Sequence, residues 1–452
     1  QNLPPGDYTL QVRYLGYATH TQRISLQQNM RVSVTLQDTA TVTDEIVVYA
    51  TRANDKTPTT FTNVSKEVIE KQNFGQDLPF IVNWTPSLVT TSDAGAGTGY
   101  TGMRIRGSDA TRINVTINGI PYNDAESQGT FWVDIPDVAS STQSIQIQRG
   151  VGTSTNGAGA FGATVNLQTN TLRDKSYAET YVAAGSFNTQ RYTLKAGTGL
   201  INNHWTFDAK VSKIKSDGYV DRASADLSAY YLSGGYYSNK TVIRAIAFGG
   251  RERTYQAWYG VDSATLRNNR TMNFAGAIYD ANGNIVRYYD NQVDNYHQDN
   301  YQLHATHQFN KYWSGNVSLH FTYGRGYYEE YQQGNTFSSL ALPNITLADT
   351  TLTTSDVVVR NWLDNKFYGT TFSLNYEKDK VNFIFGGGAN QYGDAKHFGE
   401  IIWMQYAGNT LPGQRYYRGD AEKNDINVYS KLSYDVTPLL VAFADLQYRY
   451  VG

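Results

Sequence analysis

The chain has no cysteine among its 452 residues, which excludes a disulfide framework and any thiolate-ligated metal site. It suits an oxidising compartment without requiring one. Charge of one sign is also missing: 38 basic and 40 acidic residues leave a formal net charge of -2 and no basic cluster, so nucleic-acid binding has no electrostatic support. Long hydrophobic runs are absent as well. The longest near the end is "PLLVAFA", far short of the roughly 18 apolar residues that a membrane helix needs. The chain opens on Gln1 with neither an initiator Met nor a signal peptide, which reads as a processed or trimmed start.

What is abundant is tyrosine, 36 residues against 4 Met, within an aromatic content of 13%. Tyrosine joins an apolar ring to a polar tip and suits an interface between oil and water. A mean hydropathy of -0.49 stays compatible with a transmembrane β-barrel, because only one face of each strand is apolar. The length predicts about two to four domains.

The 40 glycines include "GAGAFG", Gly157 to Gly162, a literal G-x-G-x-x-G. A dinucleotide fingerprint needs a helix behind it. Here "ATVNLQT" follows, with Val165 and Leu167 alternating against Thr164, Asn166 and Gln168, which is the period of a strand. Gly150, Gly152, Gly157, Gly159 and Gly162 are therefore expected to turn the chain between strands, where positive φ or close backbone approach is required.

Along the chain, residues 1–38 hold three short alternating segments, too few to bury a core. "TDEIVVYATR", Thr43 to Arg52, sets β-branched residues in a polar linker, where pairing with an incoming strand would satisfy them. Residues 57–171 mix short helices, with Ser65 as an N-cap, and strands closed by glycine. Asn118-Gly119 is a strong hairpin signal. From Tyr177 onward hairpins repeat. "NYQLHATHQF" puts Tyr301, Leu303, Ala305, His307 and Phe309 on one face, and the last segment does the same with Leu440, Ala442, Ala444, Leu446, Tyr448 and Tyr450. Tight turns at "NKYW", "EKDK" and "DVTP" alternate with long polar stretches over 251–298, 324–367 and 391–425, the pattern of an outer-membrane barrel. About eleven strands are expected between Tyr177 and Tyr450, half of the 22-stranded plugged class. An open half-barrel leaves unpaired edges in hydrocarbon, so the expectation is a chain cut at mid-barrel.

The order of a small β-unit, "TDEIVV", "RIRGSDATRINVTINGIPYND", "IQIQRGVGTSTNGAGAFGATVNLQT" and then hairpins resembles TonB-dependent outer-membrane receptors of the Bacteroidetes type, over nearly the whole chain. The resemblance implies a mainly β fold: an antiparallel transmembrane barrel, about half present, with an α+β plug inside it. It implies a partial carboxypeptidase-regulatory-like β-sandwich at 1–38, a TonB box and linker at 39–56, a plug at 57–171 and the first half of the barrel at 172–452. Asp44, Glu45, Ile46, Val47 and Val48 look like the TonB box, and Arg106 and Arg149 match plug arginines that pair with barrel glutamates. Those glutamates are expected beyond residue 452.

Candidate ligand contacts are Tyr100, Tyr122, Asn123, Gln128 and Trp132 on plug apex loops, with Arg253, Tyr255, Trp258 and Tyr259 on an outer loop. Aromatic and amide groups together suit a flat or sugar-like ligand. His304 and His307 point to opposite strand faces, so with His297 they do not converge on a metal. No Ser-His-Asp spacing, paired acid or phosphate loop survives its context, and neither an enzyme nor a cofactor is expected. The resemblance implies TonB, outer-membrane lipids and a small-molecule substrate as partners, with the outer membrane of a Gram-negative bacterium as the location. Three functions stand open: import of a ferric siderophore, haem or cobalamin; import of a glycan or peptide with a surface lipoprotein as lid; or a non-transporting receptor or scaffold.

Overall fold

The structure, a computed structural model, describes residues 3–12, 20–35, 51–54, 56–157, 159–169 and 172–452. At the N-terminus β1 (Gly6–Val12) and β2 (His20–Leu26) form one antiparallel hairpin. The third segment expected there is not a strand over 31–35, and residues 44–48 lie outside the described residues.

The plug is built on a five-stranded sheet. Its strands are β3 (Thr60–Ser65), β6 (Ile113–Ile117), β7 (Ile120–Pro121), β8 (Thr142–Arg149) and β9 (Ala163–Thr169), in the order β3-β8-β9-β6-β7. A separate hairpin joins β4 (Leu88–Ser92) to β5 (Thr101–Ile105). Asn118 and Gly119 both take positive φ, 56° and 79°, between β6 and β7, the conformation of the tight turn that Asn-Gly favours. Apolar Val64, Ile69, Ile105, Ile117, Ile145 and Ile147 are fully buried, each contributing about 1.5–3 kcal/mol of transfer free energy. The same cluster takes in Tyr231, Ile246 and Phe248 of the barrel wall, so the plug core continues into its housing.

The segment that opened as a nucleotide motif runs from β8 into β9, with strand rather than helix after Gly162. A Cβ on Gly162 would stand 2.3 Å from Ser108 Cβ, whereas one on Gly159 meets nothing closer than 3.5 Å. Close approach occurs also at Gly152 and Gly157, where a Cβ would stand 2.3 Å from a side chain, and Gly150 takes φ of 103°, so of the five glycines Gly159 is the one with room for a Cβ.

The barrel wall is one sheet of eleven sequential antiparallel strands: β10 (Tyr177–Gly185), β11 (Thr189–Gly197), β12 (Trp205–Ser216), β13 (Ala225–Tyr237), β14 (Thr241–Tyr255), β17 (Val293–Gln308), β18 (Trp313–Thr336), β21 (Thr354–Lys378), β22 (Val381–Met404), β23 (Gln414–Thr437) and β24 (Leu440–Val451). Two loop hairpins complete the strands, β15 (Ala277–Tyr279) with β16 (Ile285–Tyr288) and β19 (Ile345–Leu347) with β20 (Thr350–Leu352). One rim carries tight connections at 238–240, 379–380 and 438–439, and the other carries 256–292, 337–353 and 405–413. On the outer face of β17 and β18, Tyr301, Leu303, Leu319 and Phe321 are all exposed, as hydrocarbon contact requires. Trp205 against Tyr236 and Trp313 against Tyr376 stand near the tight rim, where an interfacial belt belongs.

The long stretches read as loops are shorter than expected. Strands β18, β21, β22 and β23 run 24 or 25 residues, about 80 Å of extended chain, whereas a bilayer needs about 9–11 residues. The surplus stands beyond the hydrocarbon, where the strict alternation fades while the backbone ladder continues, and Val357, Val359, Ile401 and Met404 pack there with Phe337 and Leu340 of the loop.

Candidate functional site

Plug and barrel are joined by a buried charge cluster. Asp137 takes left-handed φ of 52°, and its carboxylate is fully buried between two barrel cations, Arg191 Nη2 at 3.0 Å and Lys210 Nζ at 3.9 Å. Lys210 also donates to the Asp137 carbonyl at 2.6 Å, and Arg191 to the Asn73 carbonyl at 2.8 Å. Ser140 and Thr193 donate to the carboxylate at 2.6 and 3.0 Å. Burial pushes the Asp137 carboxyl up, but Lys210 and Arg191 more than offset this and hold it below the usual range. The cations project inward because Arg191 lies on the face of β11 opposite Tyr192 and Leu194. Arg106 and Arg149 stand apart from this cluster: Arg106 donates to Thr60 Oγ1 at 3.1 Å and Arg149 to the Pro86 carbonyl at 3.4 Å. Neither has an ion pair among the described residues.

Below the plug sheet, the linker is fastened by side chains. Gln146 accepts from Ala53 N at 2.8 Å and donates to Ala53 O at 2.9 Å. Arg52 donates to Ser144 Oγ and to the carbonyls of Ser144 and Asn166 at 2.9–3.0 Å. With only neutral acceptors, burial lowers the Arg52 pKa to about 10.

On the long-loop side, a cavity of about 380 Å³ opens between the plug apex and the inner wall. The plug supplies Tyr100, Tyr122, Phe131 and Asp134, and the strand ends supply Glu252, Asp294 and Tyr296. Tyr100 donates at 2.6 Å to Asp294 Oδ2 and lies 3.3 Å from Glu252 Oε1. One phenol proton thus faces two carboxylates. Asp134 is 9% exposed, and among the described residues its carboxylate has no hydrogen-bond or ion-pair partner. Burial, then Asp294 and Asp124, push the Asp134 carboxyl well above the usual range. Asp134 reaches the wall because Gly250 yields to it: a Cβ there would stand 2.6 Å from the Asp134 carbonyl and 2.3 Å from Pro136. A larger concavity of about 960 Å³, lined by Leu232, Leu303 and Leu319, lies on the outer apolar face and belongs to the lipid side of the wall.

Of the candidate ligand residues, Tyr100, Tyr122 and Asn123 line this cavity. Tyr122 accepts from Gln298 Nε2 at 2.7 Å. Asn123 is committed to backbone, accepting from Val115 N at 2.7 Å and donating to the Ile113 and Gln128 carbonyls. Trp258 backs the site, with its ring edge-on to Tyr100 at 5.3 Å. The other candidates stand elsewhere. Trp132 is buried in the plug core, and Gln128 is exposed with φ of 62°. Arg253 is exposed and donates to Asn291. Tyr255 is buried and donates to the Tyr289 carbonyl at 2.8 Å, while exposed Tyr259 donates to Glu330 at 2.6 Å. His304 is buried against Ser318, His307 bonds Thr241, and His297 lies 3.1 Å from Asp299.

Sequence reasoning missed Asp134, Glu252 and Asp294. The signal for Glu252 was present: it shares the inward face of β14 with Ile246 and Phe248, and an acidic residue in that register marks a lumen site.

A globular plug seated within an antiparallel wall, with a cavity on the long-loop side, defines a plugged-barrel fold. Residues 53–164 match the TonB-dependent Receptor Plug Domain. The pyoverdine outer membrane receptor FpvA from Pseudomonas aeruginosa, bound to pyoverdine, is similar with a TM-score of 0.62 at 15% identity, covering 88% of this chain and 57% of that one. The copper transporter OprC is similar with a TM-score of 0.65 at 12% identity, covering 88% and 57%. The ferric-catecholate import receptor Fiu from E. coli gives 0.58 at 14% identity, covering 87% and 60%. The chain thus spans a little over half the length of each. No curated protein matches. The plug match and the shared fold support a TonB-dependent receptor.

Proposed function

We propose that this protein is an energised importer of the Gram-negative outer membrane, carrying a scarce nutrient of ferric siderophore, haem or cobalamin size. TonB, driven by its inner-membrane complex, pairs by strand addition with the segment Asp44 to Val48 and pulls through the linker. The first resistance along that path is the side-chain fastening of Arg52 and Ala53 on the plug sheet, and the last is the buried Asp137 cluster. The observation that carries this reading is the cavity that opens between plug apex and wall on the long-loop side, a place where a substrate would wait above a plug that must move. Arg106 and Arg149 remain proposed plug-lock charges, with their partners sought outside the described residues.

The test has two parts. Native mass spectrometry of receptor taken from its own membranes identifies the small molecule held, and uptake of that molecule is followed in cells. Uptake is expected to fail when Ile46, Val47 and Val48 are changed to Pro, since proline cannot pair as a strand. Full uptake by that variant overturns the importer and favours a scaffold.

A further inference from the structure

Among the described residues five carboxylates line the cavity, Asp124, Glu126, Asp134, Glu252 and Asp294, and the only other ionisable side chain besides tyrosine is His397. No lysine or arginine among the described residues lines it. Two of the five are satisfied locally. Asp124 accepts from Glu126 N, Ser127 N and Ser127 Oγ, and Glu126 lies 2.8 Å from His397 and accepts from Tyr392 at 3.1 Å. Of the other three, Asp294 and Glu252 share the Tyr100 proton and Glu252 also accepts from the Thr254 hydroxyl at 3.3 Å, while Asp134 has no partner among the described residues. Nearby cations are engaged elsewhere: Lys423 donates to the Ala125 carbonyl at 2.8 Å, and Arg360 pairs with Glu329 at 2.6 Å.

Buried carboxylates are held by cations or hydrogen bonds, because desolvation without compensation is costly. Asp134 has neither, is nine-tenths buried and lines the cavity. Without an occupant such a group stays neutral by keeping its proton, and a cationic occupant is what would make its charged form favourable. A metal ion suits the arrangement poorly, since no group of three or more His, Cys, Asp or Glu side chains converges closely enough to hold one among the described residues. Separated carboxylates between Tyr100, Tyr122 and Tyr296 suit charges spaced along an organic frame, whose apolar parts lie against rings.

We propose that the cavity recognises a substrate through organic cationic groups, ammonium or guanidinium, with Asp134, Glu252 and Asp294 as its counter-charges. This rests on the importer reading for its biological meaning, yet binding by purified full-length receptor involves no TonB, so the two fail separately. The experiment titrates receptor in detergent with spermidine, citrate and Ca²⁺ by calorimetry, for wild type, Asp134→Asn and Glu252→Gln. Spermidine is expected to bind and citrate and Ca²⁺ not to. Each substitution should weaken spermidine about 30-fold or more, as removing one partner of a buried charge pair does. Without ligand at neutral pH, Asp134→Asn should unfold at a higher temperature than wild type, because folding no longer has to desolvate and protonate an unpartnered carboxyl; a misfolded variant would move the other way. Absence of spermidine binding, binding unchanged in Asp134→Asn, a lower unfolding temperature for that variant, or preferential binding of citrate or Ca²⁺ would each overturn the proposal.

Discussion

Replacing Asp137 with Ala should loosen the plug more than any other single change at its seam. The carboxylate is fully buried, and its two cationic partners are 3% and 4% exposed. The substitution leaves Arg191 and Lys210 desolvated and facing each other. Breaking a buried pair from one side costs about 3–5 kcal/mol. Arg191 keeps its bond to the Asn73 carbonyl and Lys210 its bond to the carbonyl of residue 137, so the lower end, about 3 kcal/mol, is expected. Hydrogen exchange of the β8 and β9 amides reads this directly, with protection falling by about two orders of magnitude. A double-mutant cycle with Arg191→Met should return a coupling of about 1–3 kcal/mol. The pH dependence has a fixed sign. A carboxyl held below its unfolded value of about 3.9 stabilises fully above that pH and loses the contribution as pH falls through its folded value. Wild-type protection should hold to about pH 4 and drop below it, and the variant should show no such drop. Equal protection in variant and wild type would refute the reasoning.

Changing Leu446 to Arg should impair membrane assembly by about 2–4 kcal/mol, because Leu446 is 74% exposed on the outer face. Gln447, which donates to the Ser154 carbonyl of the plug, should tolerate Arg better, and equal yields of folded protein would contradict the assignment. Gly162→Ala should reduce folded yield while Gly159→Ala does not, since only the first forces a Cβ onto Ser108. Gln146→Leu leaves the Ala53 amide and carbonyl without their partners, at about 1–3 kcal/mol for each buried group; the Ala53 amide should exchange faster and pulling from residue 39 should need less force.

Much of the wall was legible because lipid imposes one rule at every position. The face of Tyr301 and Leu303, and that of Leu446 and Tyr448, followed from alternation alone. The Asn118-Gly119 turn was equally readable, since its backbone conformation restricts which residues fit. The site was less legible for a geometric reason. Asp134 comes from the plug, Glu252 from β14 and Asp294 from β17, and only the seating of plug in wall brings them together. Trp132 was misplaced because an aromatic in an apex loop serves a core as readily as a ligand. The upper strands escaped notice because above the hydrocarbon nothing compels one face to be apolar, while the ladder needs only backbone.

The central claim is that TonB grips this chain at residues 44–48 and draws on the plug. The absence of cysteine makes disulfide trapping free of background within this chain. Single cysteines are placed in turn at Asp44, Glu45, Ile46, Val47 and Val48, opposite one cysteine in the pairing strand of TonB, in whole membranes. The account predicts cross-links that alternate in strength along the segment, as side chains of a strand do, and that vanish when a neighbouring position is changed to Pro. No cross-link at any of the five positions would contradict it.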